Sequence, residues 1–293
     1  MYRELVISRI VLILILVFAL VGCGGATGAT KGQKTVVASF YPLAFAAERI
    51  GGAHVHVENL TPPGAEPHDL ELSPKAVARI ETANVVLYLS HGFQPAVSDA
   101  VKQASVTKVD ILAGLPLHAN VGGEKGLTAD PHVWLDPVLF ARVVERIGAV
   151  LHAPKRANAL VTDLHSLDAA YRRGLAHCAR TDIVTSHAAF GYLAQRYGLT
   201  QVPITGLAPE SEPSPQQLAN VVRIVRRTHT TTIFFERLVS PRLADTVARE
   251  TRARTGVLDP IEGLTPSEQS HRESYLTLMR ENLAALRRAL SCH

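Results

Sequence analysis

Two rhythms of apolar and polar positions alternate along the chain, short β-branched runs and longer stretches in which apolar residues recur every three to four positions. Residues 35–40 are an apolar, β-favouring run. After Tyr41-Pro42 comes a helical pattern over 43–50 and the turn Gly51-Gly52. Residues 54–59 alternate as a second strand, and Ser73-Pro74 supplies an N-cap and a first helical position for a helix through 82. Residues 85–89 then read as a buried strand, 94–103 as a helix and 106–111 as a strand. Strands alternating with helices predict an α/β domain with a largely parallel sheet, whose ligand loops lie beyond the carboxyl ends of the strands.

A helix over 138–152 follows, with Leu139, Val143, Ile147, Val150 and Leu151 on its apolar side, and Pro154 opens a longer periodic run to 179 interrupted only by Gly174. A helix of about 25 residues spans about 37 Å, enough to run the height of a domain and join two lobes. The alternation then repeats as strand 182–186, helix 189–197, strand 201–204, helix 214–227, strand 231–235, helix 241–251, strand 256–258 and a closing helix over 270–290. The expected organisation is an N-terminal α/β lobe over 36–153, a linking helix over 154–179 and a C-terminal α/β lobe over 180–293, with a ligand in the cleft between the lobes.

The 293 residues, 47% hydrophobic and 19% charged, are ample for two such cores. The net charge of +4 is mildly basic, but its lysines and arginines form no stripe and interleave with no aromatics, which argues against nucleic acid as a partner. The first 22 residues differ from the rest: Arg3 and Arg9 precede an apolar run over 10–21 that ends in Leu20-Val21-Gly22-Cys23, too short for an ordinary membrane span. This resembles a bacterial lipoprotein signal with its lipobox. The resemblance implies cleavage before Cys23, a lipid on that cysteine and an extracytoplasmic protein held at the cell membrane; an uncleaved signal anchor is the alternative. Residues 23–35, rich in Gly, Ala, Thr and Lys, read as a flexible tether. Cys178 and Cys292 remain, as a bonded pair or as two free thiols, since an oxidising compartment permits a disulfide without guaranteeing its geometry.

Most of the thirteen histidines need no function. His54 and His56 alternate on one strand as surface residues or an i, i+2 ligand pair, and His118, His152, His165, His177, His229, His271 and His293 have polar neighbours and read as solvated. His91, directly after a buried strand, is a candidate to line the cleft. Three others stand apart. His132 lies in Ala129-Asp130-Pro131-His132-Val133-Trp134-Leu135-Asp136-Pro137, where two prolines flank a rigid turn bearing the chain's only tryptophan. His68 follows the loop Thr61-Pro62-Pro63-Gly64-Ala65-Glu66-Pro67, and His187 follows the run Ile183-Val184-Thr185-Ser186. Each sits at a predicted carboxyl-end position, and neutral imidazole suits Zn²⁺, so the three are expected to converge on one metal ion.

Five blocks carry a family resemblance: Pro67-His68-Asp69-Leu70-Glu71-Leu72-Ser73-Pro74, the block around His132, Ser186-His187-Ala188-Ala189-Phe190-Gly191-Tyr192-Leu193, the tract Gly206-Leu207-Ala208-Pro209-Glu210-Ser211-Glu212-Pro213-Ser214-Pro215, and Leu258-Asp259-Pro260-Ile261-Glu262-Gly263-Leu264. Together and in this order they resemble the zinc-type solute-binding lipoproteins of bacterial ABC importers. The resemblance implies two α/β lobes joined by a rigid helix and a cleft metal bound at the positions of His68, His132 and His187. The fourth position in that family varies; Glu262 matches the commoner zinc-type carboxylate, with Asp259 as runner-up. Many zinc members carry a long His- and acid-rich loop before the second histidine, whereas 115–129 here offers only His118 and Glu124. Manganese members commonly place a glutamate where His187 stands, so metal preference is expected to reside there, because carboxylate oxygens suit Mn²⁺ and imidazole the softer Zn²⁺.

The resemblance thus implies a monomeric, lipid-anchored receptor that carries Zn²⁺ to an ABC permease and performs no chemistry. A zinc hydrolase, with Glu66 or Glu262 as base, and a manganese receptor of the same family are the competing readings. The first lacks a His-Glu-x-x-His motif, and a carboxylate fourth ligand closes the position that catalysis keeps open.

Overall fold

A computed structural model describes residues 32–120 and 124–293. The expected lipoprotein signal, Cys23 and all but the last residues of the tether lie outside the described residues.

The first sheet is built from β1 (Lys34–Ala38), β2 (Val55–Asn59), β3 (Val85–Tyr88) and β4 (Thr107–Asp110), all parallel, in the order β2-β1-β3-β4. Val36 of the central strand is paired with Val57 on one side and Val85 on the other. β5 (Asp182–Thr185), β6 (Thr200–Pro203), β7 (Thr232–Phe235) and β8 (Arg254–Val257) repeat that plan in the order β6-β5-β7-β8. The fold is therefore α/β with two lobes of parallel sheet. In each sheet the order reverses beside the first strand, between β1 and β3 and between β5 and β7, which opens a crevice past the strand ends.

Around the first sheet lie α1 (Tyr41–Gly51), α2 (Pro74–Thr82), α3 (Pro95–Gln103) and α4 (Pro137–Val150); around the second, α6 (Gly191–Tyr197), α7 (Pro215–Thr228), α8 (Arg242–Thr251), α9 (Pro266–Ser270) and α10 (Tyr275–Leu290). Side-chain caps start several of them. Ser73 accepts from the Ala76 amide, Asp136 from those of Val138 and Leu139, and Ser214 and Thr265 form capping boxes with Gln217 and Glu268. Proline at the first helical turn adds to four of these starts, because its missing N–H has no partner there in any case.

α5 (Pro154–Gly174) runs about 31 Å at the usual rise and packs on α1 and α4 of one lobe and α10 of the other. It buries Ala157, Leu160, Leu164, Leu167 and Tyr171, and the Tyr171 hydroxyl donates to the Met279 carbonyl of α10 at 2.7 Å. The helix ends five residues before the expected 179. Beyond Gly174 the chain pairs with its own C-terminus, Arg180 N–H donating to the Leu290 carbonyl at 3.2 Å, and Cys178 is disulfide-bonded to Cys292. The main-chain groups of 178–180 pair with those of 290–292 and so are not free for helical bonds, and glycine is a weak helix former at the stop. The closing helix also begins later than 270: α9 and α10 are separated at 271–274, where Arg272 has φ 56° and Ser274 caps α10 by accepting from the Thr277 amide.

One core is continuous through both lobes. Phe40, Phe93, Trp134 and Phe140 of the first lobe are buried in one cluster with Leu258, Ile261 and Tyr275 of the second. Trp134 Nε1 donates to the Pro260 carbonyl at 2.7 Å and the Tyr275 hydroxyl to the Trp134 carbonyl at 2.5 Å, so the indole bolts the lobes together beside the strand ends. Satellite cores of Val37, Ile80, Val86 and Val97, and of Val184, Val221, Val225 and Ile233, lie on the other sides of the two sheets. Among the described residues no helix is long and apolar enough to cross a membrane.

Candidate metal centre

The loops past β2, β4, β5 and β8 bring His68, His132, His187 and Glu262 together, each with a ligand atom within 4.8 Å of the others. All four are buried.

His132 sits in the proline-flanked turn, followed by a single 3₁₀ turn over Val133–Leu135. Asp130, two residues earlier, accepts from both its main-chain N–H, at 3.0 Å, and its ring Nδ1–H, at 2.7 Å. A carboxylate on Nδ1 fixes the tautomer and leaves the Nε2 lone pair facing the centre. His187 is held in the same way from another element: Glu236, directly after β7, accepts from its main-chain N–H at 3.2 Å and its Nδ1–H at 2.7 Å. His68 differs. Glu66 accepts its main-chain N–H at 3.0 Å and Phe93 meets its ring edge-on at 4.6 Å, but among the described residues no carboxylate hydrogen-bonds its Nδ1.

Glu262 is aimed by a turn in which Asp259 accepts from the Ile261 amide at 2.8 Å and Ile261 takes φ 57°. A β-branched residue in the left-handed region is costly, so this turn is maintained by its surroundings. Glu262 Oε1 lies 3.1 Å from His132 Nε2, 3.4 Å from His187 Nε2 and 3.5 Å from His68 Nε2, and the Nε2 atoms of His132 and His187 are 3.3 Å apart. Four donor atoms thus face one point. Among the described residues His68 Nε2 and Glu262 Oε2 are buried with no hydrogen-bond partner, which is rare unless an ion completes them. Three borderline nitrogens and one carboxylate match the donor set of a closed, four-coordinate Zn²⁺ site.

The charges are mutually dependent. Burial alone would raise the Glu262 carboxyl, but the surrounding imidazoles outweigh it and hold it well below the usual carboxylate range. Burial alone would lower the rings; at His187 the Glu236 and Glu262 carboxylates reverse this and lift it well above 6.5, and at His132 Asp130 and Glu262 lift it as well. At His68, without a carboxylate behind it, burial prevails and the value falls. Burial and the charge of Glu262 push the Glu66 carboxyl up to about 9.

Asp259, the runner-up ligand, does not join the group. One oxygen serves the Ile261 amide and the other faces Arg237 at 3.2 Å, while burial pushes its carboxyl up to about 7. His91 is exposed and bonds Thr128 at 2.7 Å instead of lining the centre, and His56 pairs with Glu58 at 3.5 Å. His118 stacks on Tyr192 at 3.9 Å, and Glu124 accepts from the Ala208 amide at 3.0 Å and from the Ser211 hydroxyl. Both residues of the 115–129 segment therefore tie it to the second lobe, and neither is among the four grouped side chains. Glu236 escaped the sequence reading, although its position matched the rule that singled out the histidines: a polar residue immediately past an apolar strand.

Comparison with known proteins agrees in fold and finds relatives named for zinc. A family described as "Zinc-uptake complex component A periplasmic" matches residues 36–289. Over 290 residues the chain is 35% identical to the zinc-binding lipoprotein AdcA of Streptococcus pneumoniae, an alignment covering 92% of this chain and 58% of that protein. It is 34% identical over 284 residues to the high-affinity zinc uptake system protein ZnuA of Bacillus subtilis, covering 89% of each. The chain thus spans about three fifths of the AdcA relatives' length. Among solved structures, the Zn(II)-bound ZnuA-like domain of Streptococcus pneumoniae AdcA superposes with TM-score 0.75 at 36% identity, covering 88% of this chain and 99% of that one. The laminin-binding protein of Streptococcus agalactiae, described as having adhesin and metal-transporting activity, gives TM-score 0.80 at 31% identity, with 88% and 99% covered.

Proposed function

The chain belongs to the family of periplasmic zinc-uptake components, and from that membership we propose that it is an extracytoplasmic, high-affinity Zn²⁺ receptor that delivers its ion to an ABC-type permease. The single observation that carries this reading is the convergence of three imidazoles and one carboxylate within 4.8 Å in a buried pocket. His68, His132, His187 and Glu262 are read as the ligands, with Zn²⁺ as cargo. Asp130 and Glu236 orient two of them.

Several parts of this reading extend past the pocket. Cys23 is read as the lipidation site, 23–35 as the tether, 36–153 and 180–293 as the lobes, and α5 as the strut between them. The Cys178–Cys292 disulfide suits an oxidising compartment, and a monomer at the membrane surface suits delivery to a permease. No catalytic role is assigned. With Glu262 among the ligands the set is complete at four, which leaves no open position for an activated water. The three-histidine set likewise favours Zn²⁺ over Mn²⁺ as cargo.

Metal analysis of the purified chain tests this. One zinc per chain, displaced by EDTA and restored by Zn²⁺ without hydrolytic turnover of model esters, is the expected result. A chain that retains manganese in preference to zinc, or that turns over a substrate when zinc-loaded, contradicts it.

A further inference from the structure

The two sheets end in equivalent edge strands, β4 and β8, each followed by a turn and a helix with a side-chain cap, α4 and α10. Their registers match. The Ile111 amide donates to the Tyr88 carbonyl at 3.0 Å and the Leu258 amide to the Phe235 carbonyl at 3.1 Å, so Asp110 and Val257 hold the same place, with main-chain groups turned away from the sheet. In the first lobe that edge is covered. Arg146, ten residues past the Asp136 cap, lays its guanidinium along the end of β4 and donates to the carbonyls of Asp110 and Ile111 at 3.0 Å and of Ala113 at 2.5 Å. Ten residues past the Ser274 cap, α10 has Ala284. Among the described residues no side chain takes the place of Arg146 in the second lobe, and a cavity of about 530 Å³ lies between β8 and α10, lined by Phe234, Ala284 and Ala285.

An uncovered edge is a template for a further strand. Among the described residues the outward main-chain groups of Thr255 and Val257 have no protein partner, so β8 can take up an extended segment. The surrounding charge sets the chemistry of that segment. Arg237 is already matched by Asp259, Glu268 and Glu281, whereas Arg254 and Arg288, which also line the cavity, are exposed and form no ion pair among the described residues. We propose that the groove between β8 and α10 is a docking site for an extended acidic peptide segment of a partner protein, added to the sheet at β8 by main-chain hydrogen bonds and held at its carboxylates by Arg254 and Arg288. The chain's own tether does not suit the groove, because its charges are Lys31 and Lys34. A second copy edge to edge is repelled by its own Arg254 and Arg288. The site is distinct from the four grouped metal-binding side chains and goes beyond the zinc-receptor reading.

The probe is a labelled, capped peptide of alternating valine and glutamate, whose fluorescence anisotropy is followed as the full chain is added. Saturable binding is expected, and it is lost when the probe's alternate amides are N-methylated or its glutamates are replaced by lysine. Reversing both charges, Arg254→Glu with Arg288→Glu, weakens binding at least about tenfold, because like charges then face each other. Ala284→Arg separates docking at the strand edge from unspecific attraction to a basic surface, since it adds a positive charge while filling the groove as Arg146 does in the first lobe. The inserted guanidinium takes the edge carbonyls and displaces at least one or two main-chain bonds, so binding falls at least about tenfold; unspecific attraction instead makes this variant bind tighter. No saturable binding by the unaltered chain, unchanged or tighter binding by Ala284→Arg, or equal binding of the N-methylated probe overturns the proposal. If Ala284→Arg does not fold by circular dichroism, the N-methylated probe decides: weakened binding supports docking at β8, and equal binding refutes it.

Discussion

His132 and His187 each have a carboxylate on Nδ1, whereas His68 does not, and that difference governs how protons compete with metal. In the metal-free protein His132 and His187 are lifted above 6.5 and His68 falls below it. Zn²⁺ needs all three rings neutral, so below the raised values each of the first two must release a proton on binding. The sign for the fold alone is opposite. A raised histidine value stabilises the metal-free protein below the unfolded value near 6.5, and that contribution is lost as pH rises through the folded value. Zinc affinity should therefore begin to fall above pH 6.5 and drop by more than one proton's worth between pH 7.5 and 5.5, and the zinc-induced gain in melting temperature should grow with pH. Isothermal titration in two buffers of different ionisation enthalpy measures the protons released; a flat profile contradicts the assignment of three histidine ligands. At this scale the sequence disclosed the histidines because prolines and strand ends mark their positions. Glu236 stayed hidden because its partner is 49 residues away, and Glu262 was ranked ahead of Asp259 by the family resemblance alone, because the left-handed Ile261 between them, invisible in the sequence, decides which carboxylate faces inward.

Between elements, α4 and α5 approach closely at a glycine. A Cβ on Gly148 would lie 2.3 Å from the Ala157 Cβ, so the absence of a side chain lets the two helices meet beside the turn at 151–153. Gly148→Ala removes a helix penalty of about 1 kcal/mol but forces backbone apart in a packed interior, at about 1–3 kcal/mol. The second effect wins because neither Cβ can rotate away. Urea denaturation of the metal-free variant should show a net loss of about 1 kcal/mol, and a raised midpoint would contradict this packing. Periodicity predicted most of these elements because capping serines, prolines and apolar faces agree locally. It overran at α5 and at the α9–α10 junction because a helical repeat continues through a break made elsewhere: the main-chain pairing of 178–180 with 290–292 in one case and the Ser274 cap in the other. The Thr265 and Ser274 capping signals were present in the sequence, and they outrank periodicity at helix starts.

Across the described residues, two sheets of equivalent strand order share a continuous apolar core, and the candidate metal centre sits where their carboxyl-end loops meet. Alternating strands and helices made the two-lobed α/β class legible. They did not disclose that Trp134 and Tyr275 join the lobes, because a pattern shows which face is apolar and not what covers it. The arrangement has a functional consequence. The four candidate ligands come from loops past separate strands, His68 and His132 in the first lobe and His187 and Glu262 in the second, so an ion held by all four would link the lobes directly. The most direct test is a crystal structure of the zinc-loaded chain with anomalous diffraction collected at the zinc edge. The expected result is one anomalous peak bound by the Nε2 atoms of His68, His132 and His187 and by Glu262, at about 2.0–2.2 Å. A peak that lacks His187 or Glu262, that takes Asp259 in place of Glu262, or that lies elsewhere on the chain would contradict it.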